Sequence, residues 1–194
     1  MPTWGWVLIA ILALIAVAAV IVAARATATR RRTAHLKQHF GPEYERLVAE
    51  SGDPGVAENE LLTRQQQRKK LDVVALRPEA RARYEEQWHA VQTGFIDSPA
   101  AAVADADRLV TLVMRERGYP VDDFERRAAD ISVDHPDVVD NYRSAHAIHL
   151  AQERGDVGTE RQREAFVHYR ALFDKLLTTD QNTTVESKAK EKQA

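Results

Sequence analysis

The chain has 194 residues, of which 44% are hydrophobic and 29% charged, and its formal net charge at pH 7 is −2. This composition is typical of folded proteins and excludes collagen-like, mucin-like and fully disordered chains. The absence of cysteine excludes disulfide scaffolds, thiol catalysis and cysteine-ligated zinc or iron–sulfur centres.

The first predicted element is a transmembrane helix at residues 5–24, which contain no charged residue. About 20 apolar residues, at about 1.5 Å each, cross a hydrocarbon core of about 30 Å. Trp4 and Trp6 lie at the outer end of the run, where indole rings favour the membrane interface. Residues 1–4 form a short flank without Lys or Arg, whereas five basic residues closely follow the run: Arg25, Arg30, Arg31, Arg32 and Lys37.

This charge asymmetry predicts a single-pass protein of the cell membrane, with its N-terminus outside and the bulk of the chain in the cytoplasm. A cleaved signal peptide is the alternative, because residues 24–26 and 26–28 each fit a small-x-small cleavage pattern. A signal peptide requires a positive N-terminal region and a shorter apolar stretch, and this chain has neither. An exported protein that works on the envelope side is therefore the less favoured alternative.

Residues 25–71 are predicted to form a basic juxtamembrane segment and a helical stalk. Residues 25–70 carry 10 Lys and Arg against 6 Asp and Glu. Neither Gly nor Pro follows the apolar run until Gly41-Pro42, and a helix that begins after Gly55 is polar nearly all round. Such a helix is usually a solvated spacer or packs only along a thin stripe.

Residues 72–178 are predicted to form an antiparallel bundle of about five helices. Large apolar residues recur every three or four positions, as in Tyr84, Trp88, Val91 and Phe95, and no segment shows the sustained alternation of a strand. Short connections favour antiparallel neighbours. Residues 179–194 are polar and are predicted to be a disordered tail.

Four histidines are weak candidates for a metal site: His146 and His149, which share a helix face, with His135 and His168. Two acidic turns of the bundle offer a candidate partner surface, made of Asp122, Asp123, Asp134 and His135. The alternative for these turns is that each merely caps a helix.

No reaction signature is present. The sequence has no Gly-x-Ser-x-Gly, no phosphate-binding loop and no Gly-x-Gly-x-x-Gly motif, and no cofactor is expected. Residues 71–194 carry 17 Lys and Arg against 23 Asp and Glu, which disfavours nucleic acid as a partner.

Three stretches resemble a family of bacterial single-span, membrane-anchored, all-helical proteins for which no activity is established. They are FGPEYERLV at 40–48, RGYPVDDFERRAADISVDHPDVV at 117–139 and HYRALFDKLL at 168–177. The resemblance covers roughly residues 34–178. It implies the architecture only, and it assigns no functional residue.

The leading functional hypothesis is a non-enzymatic, membrane-tethered scaffold that presents an acidic helical bundle to a protein partner. Its lipid partner is the bilayer around residues 5–24. The alternative is an enzyme or sensor that binds a metal through a His/Asp cluster on the bundle.

Overall fold

A computed structural model describes the backbone of residues 3–155 and 157–191, and the side chains of residues 4, 12–14, 16–155 and 157–178. Within these ranges the protein is all-helical and has no strand. Its eight helices are α1 (Thr3–Phe40), α2 (Pro42–Ser51), α3 (Pro54–Arg68), α4 (Pro78–Gly94), α5 (Pro99–Arg117), α6 (Phe124–Asp134), α7 (Val139–Arg154) and α8 (Thr159–Glu191).

Helix α1 is one continuous rod of 38 residues, because neither Gly nor Pro interrupts it between Trp6 and Phe40. Its described apolar side chains are exposed as far as Ala28, whereas Leu36 and Phe40 are buried at its end. The chain then reverses at Gly41, whose φ of +50° suits a residue without a Cβ. The same helix therefore supplies an uncovered apolar segment and part of a folded core.

Helices α4 to α8 share the larger of two apolar cores. Trp88 of α4 lies against Phe166 and Phe173 of α8, with ring centroids 5.1 and 4.6 Å apart. The 3.6-residue periodicity thus places the large side chains of these helices inside, as expected. Helices α4 and α5 are antiparallel, because Tyr84 near the start of α4 bonds to Glu116 near the end of α5, whereas α5 and α8 run parallel. Asp107 and Arg117 of α5 bond to Tyr169 and Leu176 of α8 in the same order.

The end of α1, with α2 and α3, forms the second apolar core and packs on the first. We call this region the junction. Its buried apolar residues are Leu36, Phe40, Tyr44, Leu47, Ala57 and Leu61, and Val133 of α6 packs against them. Helix α3 lies on α6, and α2 contacts α7. The segment expected to be a polar stalk is therefore docked on the bundle. Its thin apolar stripe is buried, and two of its charged side chains, Arg68 and Glu43, form ion pairs with α6 and α7.

The segment between α3 and α4 also lies against the bundle. The Val74 amide donates a hydrogen bond to the carbonyl oxygen of Arg117 at 2.9 Å. Gly118 has φ +95°, and a Cβ placed on it would lie 2.4 Å from the carbonyl oxygen of Asp72. Only glycine allows this close approach.

In its backbone, helix α8 continues to Glu191, and the disorder expected for residues 179–194 stays a prediction. No Gly or Pro occurs between Thr159 and Glu191 to end the helix. The side chains of residues 179–194 lie outside the described residues.

Candidate functional site

The junction is organised around one fully buried carboxylate, Glu43, in the first turn of α2. Its Oε1 accepts hydrogen bonds from Arg46 at 2.7 Å, from Arg64 of α3 at 2.7 Å and from Arg143 of α7 at 3.0 Å. Arg46 also donates to Oε2 at 2.9 Å, so this pair is bidentate. One side chain therefore connects α2 and α3 with α7, which lies far from them in sequence.

Each of the three arginines also has a second acidic partner nearer the surface. Arg46 pairs with Glu50, Arg64 with Glu60 at 2.9 Å, and Arg143 with Glu125 at 3.2 Å. The guanidinium groups are thus already shared between carboxylates, which argues against a binding site for a free anion.

Burial raises the pKa of Glu43, but the hydrogen bond from Arg46 and the charges of Arg143, Arg46 and Arg64 outweigh burial and lower the pKa overall. Glu43 is therefore ionised at neutral pH, and the network is a charged clamp rather than an acid–base group.

A second clamp joins α3 to α6 through Asp134. Its Oδ2 accepts a hydrogen bond from the Tyr119 hydroxyl at 2.5 Å and forms an ion pair with Arg68. Asp134 was expected to belong to a partner surface, and that role stays a prediction. The sequence offered no sign that α3 would bring Arg68 onto it, and its carboxylate is used inside the protein.

His135 was also expected to be exposed in the same turn, but only 4% of it is accessible. It follows the last residue of α6, and its amide donates a hydrogen bond to the Ile131 carbonyl oxygen. Burial lowers the pKa of His135, so the ring is neutral at pH 7. This histidine cannot contact a partner without an opening of the bundle.

The other half of the expected partner surface is exposed. Asp122 and Asp123 both face solvent, and Asp123 accepts a hydrogen bond from the Arg126 amide at 2.9 Å, as the N-cap of α6. Capping therefore accounts for Asp123, while Asp122 stays exposed.

The structure does not gather the four candidate histidines. The rings of His146 and His149 lie 6.3 Å apart on α7, whereas His168 lies on α8 beside Glu164, at 3.8 Å. His149 Nε2 lies 3.7 Å from Glu153 Oε1 of its own helix. Among the described side chains, no group of three or more His, Asp or Glu residues is placed to hold a metal ion.

His146 instead belongs to a polar cluster that the sequence analysis missed. Its ring stacks on Phe124 at 3.7 Å, and its Nδ1 lies 3.9 Å from Oδ1 of Asp107. The Tyr169 hydroxyl donates to the same Oδ1 at 2.9 Å. Burial raises the pKa of Asp107, but the nearby His146 ring and the hydrogen bond from Tyr169 outweigh burial and lower the pKa overall. The only sequence signal was an acidic residue between the buried Ala106 and Leu109.

A groove of about 590 Å³ opens between α2, α6 and α7, beside the Glu43 clamp. Its apolar surface includes Leu150, which is 40% exposed, and the half-buried Phe124. Charged side chains of both signs border it. The full lining is Arg46, Glu50, Phe124, Glu125, Arg143, His146, Ala147 and Leu150.

The residues predicted to lie at the membrane interface divide into two groups. Trp4 is 77% exposed, and Arg25, Arg30 and Arg31 are exposed, while Trp6 lies outside the described side chains. Arg32 instead bonds to Asn59 of α3 at 2.9 Å and lies 3.7 Å from Glu58. Arg32 therefore also has a structural role in the junction.

Comparison with known proteins found no match for this chain among family models, curated proteins or solved structures.

Proposed function

We propose that this protein is a single-pass, membrane-anchored scaffold that holds a helical bundle in a set position beneath the bilayer and presents a groove on it to a protein partner. The observation that carries this proposal is α1. Its segment from Leu12 contains an 18-residue stretch of mean hydropathy 2.1, none of it covered by the rest of the protein. Exposed apolar surface of this extent is a liability in water and is stabilised in a bilayer.

In this proposal residues 5–24 cross the membrane, and residues 72–178 form the antiparallel bundle of about five helices that the sequence predicts. The resemblance to bacterial single-span helical proteins implies the same architecture. The junction makes the connection between α1 and the bundle rigid. Because α1 enters the junction without a break, and the clamps of Glu43 and Asp134 attach α2 and α3 to α6 and α7, the bundle has no flexible linker to the membrane helix.

The groove between α2, α6 and α7 supports the choice of partner. A groove lined by apolar side chains and by charges of both signs suits the apolar side of an amphipathic helix that carries its own charges. A photo-crosslinking amino acid at Leu150, in membranes from cells that produce the full chain, tests this. We expect a discrete crosslinked product from Leu150 and none from Val167 of α8, which is 51% exposed and outside the groove. Equal products from both positions would contradict a groove-specific partner.

The orientation follows from the basic residues after the span, and we propose that the bundle is cytoplasmic. A C-terminal reporter pair tests it: alkaline phosphatase is active outside, and a fluorescent protein that folds only inside reports the opposite. We expect fluorescence without phosphatase activity. Phosphatase activity without fluorescence would instead establish the exported alternative.

A further inference from the structure

The turn between α2 and α3 points back toward the membrane end of α1. Lys37 of α1 lies 3.7 Å from Glu45, in the first turn of α2, so α2 runs antiparallel to α1. Thr33 of α1 donates a hydrogen bond to Glu58, near the start of α3, at 2.6 Å. At the other end of α3, Arg68 pairs with Asp134 of α6, and the carbonyl oxygen of the neighbouring Val133 lies 3.0 Å from His39 Nε2, near the end of α1. Helix α3 therefore begins near the level of Thr33 and runs away from the apolar segment.

The axial positions of these contacts place Val56 close to the membrane. At about 1.5 Å per residue, Thr33 lies about 13 Å below Ala24, and Val56 lies about 3 Å above Glu58. Val56 is thus about 10 Å below the apolar span, whereas the headgroup layer is about 5–8 Å thick. Transmembrane helices tilt by about 20° on average. The axes of α1 and α3 are about 10 Å apart. A tilt of that size that raises the α3 side of the junction brings Val56 about 3 Å closer to the apolar span, into the headgroup layer.

The surface of this turn has the properties of an interfacial contact. All residues from Ser51 to Val56 are exposed, and Val56 is 56% exposed although it is apolar. Side chains of a helix tilt toward its N-terminus, so Val56 leans toward the membrane. The acidic Asp53 of the turn accepts hydrogen bonds from the amides of Gly55 and Val56 at 2.6 and 3.3 Å, which partly compensates its charge. The exposed Arg25 and Arg30 lie on the adjoining part of α1.

We propose that the α2–α3 turn, residues 51–56, is a second membrane contact, in which Val56 lies among the lipid headgroups of the bilayer that α1 crosses. The inference rests on the proposed transmembrane role of α1. With two contacts, the tilt direction of α1 is set, and with it the direction in which the groove faces.

Single-cysteine variants test this in the full chain, which has no cysteine of its own. Val56→Cys is compared with Val74→Cys, a matched control of similar exposure (48%) that lies beyond the opposite end of α3. Val17→Cys in α1 reports on the anchor itself. Each variant carries a nitroxide label in vesicles of phosphatidylcholine and phosphatidylglycerol. Collision rates are measured with oxygen, which concentrates in the bilayer, and with a nickel chelate, which stays in water.

We expect the label at position 17 to collide mainly with oxygen, and the label at 56 to collide severalfold less with nickel than the label at 74. If position 17 is immersed and position 56 matches position 74, the second contact is refuted and the anchor stands. If position 17 collides with nickel as freely as position 74, the transmembrane role of α1 is refuted, and this inference fails with it.

Discussion

The bundle core and the junction are both buried, but they differ in the kind of interaction that holds their helices together. The core of the bundle is an apolar cluster in which Trp88 stacks on both Phe166 and Phe173. The junction has only six buried apolar residues, and its helices are connected mainly through the carboxylates of Glu43 and Asp134.

This difference sets how each region responds to change. Apolar burial is nondirectional and scales with the area removed from water, so the bundle depends on the volume of its side chains. A buried ion pair contributes little net stability, because desolvation offsets the attraction, but removal of one partner leaves an uncompensated charge. The junction should therefore be sensitive to charge and the bundle to size.

The largest expected effect is a loss of volume in the bundle core. Trp88→Ala should lower the free energy of unfolding by about 3–5 kcal/mol, because the ring is 4% exposed and lies between two phenylalanines. Chemical denaturation of the full chain in detergent, followed by circular dichroism, measures it. The control is Leu112→Ala on α5, where 37% of the side chain is already exposed. A loss below about 1 kcal/mol for Trp88→Ala would be that of an ordinary surface site and would contradict the packing.

The next effect is a loss of charge without a loss of volume. Glu43→Gln should cost about 2–3 kcal/mol, less than a fully buried pair, because the three arginines retain some contact with water. Hydrogen exchange should accelerate in α2 and α3 while the amides of α5 and α8 stay protected.

Glu45→Gln is the matched control for that experiment, because Glu45 lies in the same helix, is 68% exposed and pairs only with Lys37 at 3.7 Å. It should change stability by at most about 0.5 kcal/mol. Equal exchange in the two variants would mean that Glu43 does not hold the junction.

A smaller effect concerns pH, because His135 lies where the bundle meets the junction. Burial lowers its pKa below the ordinary value of 6.5, and Asp134 and Asp137 offset this only in part. The unfolded chain therefore takes up a proton first as the pH falls. The stability contributed by neutral His135 is present above pH 6.5 and is lost as the pH falls toward the lower pKa of the folded protein.

The expected loss is at most about 1.4 kcal/mol per pH unit within this window. His135→Asn should flatten the dependence of the melting temperature on pH between about pH 7 and pH 5. The other histidines are common to both proteins. An unchanged slope would show that the ring is accessible to protons in the folded state.

The smallest effect should come from the tail. Deletion of residues 180–194 leaves Leu176 and Leu177, the last buried side chains among the described residues of α8, in place. The melting temperature should not change, because the deleted residues are mostly polar and have little apolar surface to bury. A decrease of several degrees would show that the tail docks on the bundle and extends the larger core.

The helical periodicity of residues 72–178 predicted which side chains form the bundle core, because each apolar stripe is a local property of one helix. The helix ends at Gly41, Gly52 and Gly118 were likewise predictable from the sequence, and each of these glycines has a positive φ. The docking of α3 on α6 was not predictable from the sequence. Its charged residues meet partners 21 to 68 positions away, and no local pattern contains that information.

The candidate site divides in the same way. Asp122 and Asp123 are exposed as a turn sequence suggests, whereas Asp134 and His135, from the next similar turn, are engaged or buried. Arg68 comes to Asp134 from α3, and the surrounding helices cover His135. Burial of a polar group depends on what packs over it, which is a tertiary property.

The sequence by itself determined that this protein is all-helical, that an apolar segment precedes the folded part and that apolar faces line the bundle. These properties follow from composition and from a period of 3.6 residues, which act within one helix. Only the tertiary structure decided that the expected stalk is docked, that Glu43 is its buried centre and that the candidate histidines are not gathered. Those properties depend on contacts between helices. The chain has many arginines in similar sequence contexts, so the sequence does not show which of them pairs with a given carboxylate.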